Sequence, residues 1–154
     1  MSRATRVANH IERTVTGPMW HGPALLEVLK GVACEQALAR PLPAAHTIWE
    51  LVLHVTAWCE IARQRVSGQA TGDPTPEQDW PPPALDPDPA SAWRRAVDQL
   101  AQSHRDLAAD TRPLSDGQLG ALVPGLEYTV SALLRGVVEH GTYHGGQIAL
   151  LKKA

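Results

Sequence analysis

Apolar side chains recur along much of this chain at intervals of three and four residues, the spacing of one face of an α-helix. The pattern predicts a first helix from Ser2 to Thr16 and a short continuation from Pro23 to Leu29. The apolar positions of the first helix are Val7, Ile11 and Val15. No stretch alternates apolar and polar residues over a useful length, so no strand is predicted.

The second predicted helix has the clearest start signal. Thr47 and Glu50 have the spacing of a capping box, in which the hydroxyl caps the first turn and the carboxylate returns to the main chain. Gly68 is expected to end this helix. Its buried face is predicted to carry Leu51, His54, Trp58 and Ile61.

Two further helices are predicted, from Ala90 to Thr111 and from Thr129 to the end of the sequence. The stripe of the third is Trp93, Val97, Leu100, His104 and Leu107. That of the fourth is Leu133, Val137, His140, His144, Ile148 and Leu151. Four amphipathic helices in 154 residues predict an all-α fold, an antiparallel four-helix bundle in which residues 1–154 form one domain.

The segment from Asp73 to Pro89 differs from the rest in composition. It holds seven of the thirteen prolines and five acidic residues, with no basic residue. Because proline breaks helix interiors, the segment is predicted to be an extended surface connection between the second and third helices. A crossover between helices that are not neighbours is one use for such a connection.

Charge and hydropathy exclude several classes of protein. The formal net charge is −2, so there is no basic surface of the kind that attracts nucleic acid. No apolar run approaches the roughly 20 residues that span a bilayer, and no apolar segment follows Met1 as in a secretory signal. We therefore expect a cytoplasmic protein whose partner is a small molecule, and free thiols at Cys34 and Cys59.

Three histidines replace apolar residues on the predicted stripes. His140 and His144 are four residues apart, which places them on one face of a helix. Buried imidazoles need partners for their ring nitrogens, and one divalent metal ion would satisfy both side chains. His54, between Leu51 and Trp58, is the natural third ligand. The alternative is a set of histidines that form hydrogen bonds within the core.

Three neutral histidines leave a tetrahedral metal ion one open position. Such an ion can lower the pKa of a bound water to about 7 or deprotonate a coordinating thiol, and the sequence does not choose between these reactions. The residues expected to line a substrate pocket are Trp58, Tyr143 and His21. His104 is a candidate fourth ligand or substrate contact, whereas Glu139 is poorly placed to act as a base because it faces away from His140.

Residues 136–153, which include His140 and His144 followed by Gly145-Gly146-Gln147, resemble the C-terminal signature of the DinB/YfiT-like superfamily. Residues 46–58 resemble its second-helix motif, with His54 at the centre. The resemblance implies a four-helix bundle, often a homodimer, with Zn or Ni held by the histidines at positions 54, 140 and 144. Relatives include transferases and isomerases that use low-molecular-weight thiols, and metal-dependent hydrolases.

Two classes of function remain open at this point. The first is a metal-dependent enzyme, either a thiol-dependent S-transferase or a hydrolase, that acts on a small electrophilic substrate. The second is a non-catalytic metal-binding bundle for storage, sensing or stability. The second predicts a closed ligand shell, completed by His104 or a carboxylate, and no pocket beside the ion.

Overall fold

The computed structural model describes residues 1–70, 72–85 and 87–154, and these contain eight helices and no strand. The prediction of an all-α fold is confirmed. The helices are α1 (Arg3–Thr16), α2 (Leu25–Leu29), α3 (Cys34–Leu38), α4 (Ile48–Val66), α5 (Pro76–Asp79), α6 (Pro89–Thr111), α7 (Asp116–Gly120) and α8 (Val130–Leu151). The short helices α3, α5 and α7 have no counterpart in the periodicity, since each is too brief to show an apolar stripe.

Local capping signals explain where the long helices begin. The main-chain N–H of Glu50 donates to Thr47 Oγ1 over 3.1 Å, and Thr47 N–H donates to the Glu50 carboxylate over 2.7 Å. This is the predicted capping box. The hydroxyl of Thr129 accepts from the main chain of Ala132 at the start of α8. Helix α6 begins one residue earlier than predicted, because Pro89 suits the first helical position.

Helices α1 and α4 each pack against both α6 and α8. Helices α4 and α6 run parallel: Trp49 and Trp93 meet near their starts with ring centroids 5.4 Å apart, and Arg63 Nε donates to Asp110 Oδ2 over 2.8 Å near their ends. The expectation that neighbouring helices all run antiparallel is therefore wrong for this pair. Apolar stripes show which face is buried, but they do not show the direction of the neighbour.

Parallel neighbours need a long connection between them, because the chain must travel back along the whole of α4 before α6 begins. An α-helix of about 20 residues is about 30 Å long. The Pro-rich segment makes this return between neighbouring helices, not between distant ones. It is also more than a surface connection, as Pro76–Asp79 forms α5 against α4 and Trp80 packs half-buried against the core.

The core consists of two apolar clusters, one towards each end of the long helices. One cluster surrounds Trp49, Trp93 and Leu100, and the other surrounds Ile11, Leu107 and Leu134. Each long helix contributes to both clusters. Buried polar side chains occupy the level between them, namely Thr14, His54, Ser103, His104 and His144. The functional side chains therefore lie in a polar layer at mid-bundle.

Both cysteines are buried free thiols, as expected. Helix α4 buries Cys59, and α3 begins at Cys34. Within the described ranges, no helix is long and apolar enough to cross a membrane.

Candidate metal centre

The structure brings His54, His140 and His144 together in the polar layer. His54 comes from α4, and the other two lie one turn apart on α8. The Nε2 atom of His140 is 2.9 Å from Nε2 of His54 and 3.1 Å from Nε2 of His144. One donor atom from each residue lies within 4.8 Å of the others. Three ring nitrogens therefore converge on one point, as the stripe positions predicted.

Hydrogen bonds on the outer side of two rings set their tautomers. His54 Nδ1 donates to the main-chain carbonyl of Asp79 over 2.6 Å, and His144 Nδ1 donates to Gln147 Oε1 over 2.6 Å. A carbonyl oxygen can only accept, so each Nδ1 carries the hydrogen and each Nε2 has a free lone pair. Outer hydrogen bonds of this kind orient metal-binding histidines in proteins.

Burial keeps the three rings neutral. It lowers the pKa of His54 and His144 and, together with the neighbouring histidines, lowers the pKa of His140 to about 3. His140 Nδ1 is buried without a hydrogen-bond partner among the described residues, so no contact fixes the tautomer of this ring. With its proton on Nε2, His140 donates to a neighbouring histidine; with its proton on Nδ1, it presents a third lone pair that a cation between the rings would bind. Zn–N bonds of about 2.0–2.1 Å in tetrahedral geometry place ligand nitrogens about 3.3 Å apart, close to the observed spacing. The group could therefore hold a divalent metal ion.

The Pro-rich connection contributes two residues to this site that the sequence analysis missed. The Trp80 ring stacks on His54 with centroids 3.7 Å apart, and its other face stacks on His46 at 3.6 Å. Asp79 Oδ1 accepts from the indole Nε1 of Trp58 over 2.7 Å and lies 3.3 Å from His54 Nδ1. The sequence feature that could have indicated this role is a tryptophan, Trp80, within a run of prolines and acidic residues.

A cavity of about 580 Å³ opens beside the three histidines. Trp58 and Tyr143 line it, in the positions that the sequence suggested. Other described lining residues are Asp79, Trp80, Tyr128, Ala132, Leu133, Gly136 and Val137. Most of this wall is aromatic or aliphatic, so the cavity suits an apolar ligand.

His21 does not belong to this cavity. It lines a separate space of about 180 Å³ together with Thr14 of α1 and Gly141 and Gly145 of α8. The expectation that it approaches the metal site is therefore not met. The sequence could place His21 near the bundle but could not show on which side of α8 it would lie.

His104, Glu50 and Glu139 do not belong to the group of converging ring nitrogens. His104 Nδ1 donates to the carbonyl of Leu100 over 2.8 Å, and its Nε2 is 3.5 Å from the thiol of Cys59. It is therefore a hydrogen-bonded core histidine outside the group of three. Glu50 is engaged in its capping box and by Arg40. Glu139 is exposed and is not among the residues of the cavity wall.

The fold and the site define an all-α protein with a three-histidine group, two of its members buried and one half-buried, that fits a metal-dependent function. The chain belongs to the DinB superfamily, whose sequence model matches residues 20–148. The matched region contains all three histidines of the site. No curated protein and no solved structure matches the chain. Family membership and site geometry are thus the evidence on which a function can be proposed.

Proposed function

We propose that this protein is a metal-dependent enzyme that transfers a low-molecular-weight thiol to a small electrophilic substrate. The observation that carries the proposal is the cavity that all three histidines line. Structural zinc sites usually have four protein ligands, whereas catalytic sites keep an open position. Among the described residues the group has three members, and the nearby carboxylate of Asp79 is engaged by the indole of Trp58.

The residues of the chain have separable tasks in this proposal. The three histidines hold the ion as neutral ligands, and the Asp79 carbonyl and Gln147 amide keep two of their rings oriented. A bound Zn²⁺ or Ni²⁺ would supply the uncompensated positive charge that favours the thiolate form of a thiol at neutral pH. The aromatic wall beside the site offers an apolar surface against which a substrate can pack.

Thiol transfer is better supported than hydrolysis because Asp79, the acidic residue of the described wall, lies on the outer side of His54. Besides Asp79, the wall has two phenol groups: Tyr128 accepts from Arg65 over 2.7 Å, and Tyr143 accepts from Gln147 over 3.3 Å. The Asp79 carboxylate lies 3.3 Å from His54 Nδ1, the ring nitrogen on the side away from the converging Nε2 atoms. It is therefore poorly placed to act as a general base for a water at the ion. Hydrolysis is the second candidate reaction, since the same ion would also acidify water.

A non-catalytic metal-binding bundle is the competing class of function. It requires a closed ligand shell and no adjacent space, and a cavity of about 580 Å³ argues against both. We further propose that the protein is a cytoplasmic homodimer that acts on a small molecule and has no nucleic acid or membrane partner. Sedimentation equilibrium of the purified chain tests the dimer.

The test is product formation by the metal-loaded protein. Zn- and Ni-loaded samples are incubated with pairs of a thiol (glutathione, mycothiol or bacillithiol) and an electrophile (aryl halide, epoxide or maleyl compound). Mass spectrometry then detects thiol adducts or isomerised products. We expect metal-dependent turnover that His144→Ala abolishes. Co(II)-loaded protein should also gain a sulfur-to-metal charge-transfer band with the active thiol. No product from any pair, together with no spectral response to any thiol, would refute the proposal.

A further inference from the structure

Gly136 leaves a gap in the wall of the cavity. It lies on α8 one turn before His140, and a Cβ atom built on it would have no neighbouring heavy atom within 4 Å. Glycine in a helix interior is unfavourable relative to alanine. Packing between helices gives no reason for glycine here, in contrast to Gly141, where a Cβ would lie 2.8 Å from Thr14 Cγ2. The effect of Gly136 is to enlarge the cavity.

The wall around this gap offers ring faces and aliphatic groups but little charge. No lysine or arginine is among the residues that the structure describes as lining the cavity. Asp79, the acidic member of that set, is engaged by Trp58. The volume of about 580 Å³ falls within the range of roughly 300–1,000 Å³ that is typical of small-molecule sites. Aromatic walls bind flat apolar groups by stacking and edge contacts.

We infer that the cavity binds an uncharged aromatic group, and that the absent side chain at Gly136 determines how large this group can be. The inference rests on the proposed function in one respect, as it identifies the aromatic group with the electrophilic substrate. Away from the three histidines and Asp79, a charged group would lie against an aromatic and aliphatic wall, which is costly. A side chain at position 136 would occupy the space of the ring.

A non-reactive probe separates binding from catalysis. Zn-loaded protein is titrated with 2-naphthalenemethanol, which is neutral, and with 2-naphthylmethylamine, which is a cation at pH 7.5. Calorimetry and quenching of tryptophan fluorescence report binding. We expect the neutral probe to bind at least tenfold more tightly than the cation. Equal affinities, or no binding of the neutral probe, would overturn the inference.

A second glycine of α8 provides the matched control. Gly146 is exposed on the same helix and also has open space around its Cβ position, but it lines the other, smaller cavity. Gly136→Ala and Gly146→Ala should both raise the thermal midpoint, because alanine favours the helix. Only the first should weaken binding of the neutral probe, about threefold, and Gly136→Leu should weaken it at least tenfold. Zinc content should be unchanged.

The outcomes distinguish this inference from the proposed function. If probe binding depends on position 136 but no thiol transfer is detected, the inference of an aromatic binding site stands and the proposed transferase activity is refuted. Thiol transfer restricted to non-aromatic electrophiles, without probe binding, would refute the aromatic site alone. Unchanged probe affinity in both Gly136→Ala and Gly136→Leu would show that this position does not determine ligand size. The alanine variant keeps the test valid if the leucine variant fails to fold.

Discussion

The indole ring of Trp80 lies parallel to the imidazole of His54, with centroids 3.7 Å apart and an interplanar angle of 3°. Trp80 belongs to the Pro-rich connection, whereas His54 belongs to α4. The connection must run back along the bundle because α4 and α6 are parallel. On the way, its Trp80 ring stacks on His54 and meets the ring of His144 edge-on, with centroids 6.3 Å apart. Because α4 and α6 are parallel, the Pro-rich connection lies against the site and forms one of its walls.

We predict that Trp80→Ala and Asp79→Ala weaken metal binding. Without the stacked indole of Trp80, the His54 ring can rotate away from the orientation that binds the ion. Without the Asp79 carboxylate, Trp58 loses its hydrogen-bond acceptor and His54 Nδ1 loses a negative charge 3.3 Å away. Residues that orient metal ligands typically affect affinity 10–100-fold. Chelator competition measures the change. Glu77→Ala, at an exposed position of α5, is the control and should bind like wild type. Affinities within twofold of wild type for both variants would contradict this role.

We predict one divalent metal ion per chain, held by the three histidines. Elemental analysis of His54→Ala, His140→Ala and His144→Ala should each give less than a tenth of the wild-type content, because two ligands hold an ion poorly. His21→Ala is the control, since His21 lines the separate cavity, and it should retain full content. Full occupancy in any of the three ligand variants would show that the ion binds elsewhere.

The sequence predicted the features that depend on neighbouring residues. Thr47 and Glu50 are three residues apart, so their capping box could be recognised without knowledge of the rest of the chain. His140 and His144 share a helix face by spacing alone. His54 was found because it replaces an apolar residue on a clear stripe. The family motifs then joined these observations, although the second and fourth predicted helices are far apart in the sequence.

Features that depend on the path of the chain could not be predicted in the same way. Asp79 and Trp80 lie in a segment without periodicity, and their contacts to His54 span about 25 residues. The parallel direction of α4 and α6 cannot be inferred from the apolar pattern, because an apolar stripe packs equally well against a parallel or an antiparallel neighbour. The location of His21 depends on a turn whose direction the local sequence does not fix.

We predict that Gly141→Ala destabilises the fold. Its Cβ would lie 2.8 Å from Thr14 Cγ2, and Thr14 cannot easily rotate because its hydroxyl donates to the carbonyl of His10. Overpacking of this kind typically costs about 1–3 kcal/mol, which exceeds the gain of up to about 1 kcal/mol from helix propensity. Urea unfolding measures the free energy.

A double-mutant cycle isolates the contact between Gly141 and Thr14. Thr14→Ser removes the clashing methyl group, so the double variant should recover most of the stability that Gly141→Ala loses. The coupling free energy should be at least about 0.5 kcal/mol, the lower end of the range for residues in contact. If the two changes are additive, the cost of Gly141→Ala does not come from this methyl group.

The last prediction concerns the buried His104. Burial lowers its pKa from the ordinary value of 6.5 to about 4. Between these two values the unfolded chain binds a proton at this residue and the folded chain does not, so stability is lost as the pH falls from 6.5 towards 4. From pH 7.5 to pH 5 this residue should account for about 2 kcal/mol of the loss.

The measurement is urea unfolding of wild type and His104→Gln at both pH values, without added metal. Glutamine keeps a neutral hydrogen-bonding side chain at this position but does not titrate. The variant should therefore lose about 2 kcal/mol less stability than wild type on acidification. The other buried histidines are present in both proteins, so their contributions cancel except for the weak coupling by which His104 lowers the pKa of His140. An identical pH dependence in wild type and His104→Gln would mean that this ring is not held neutral by the core.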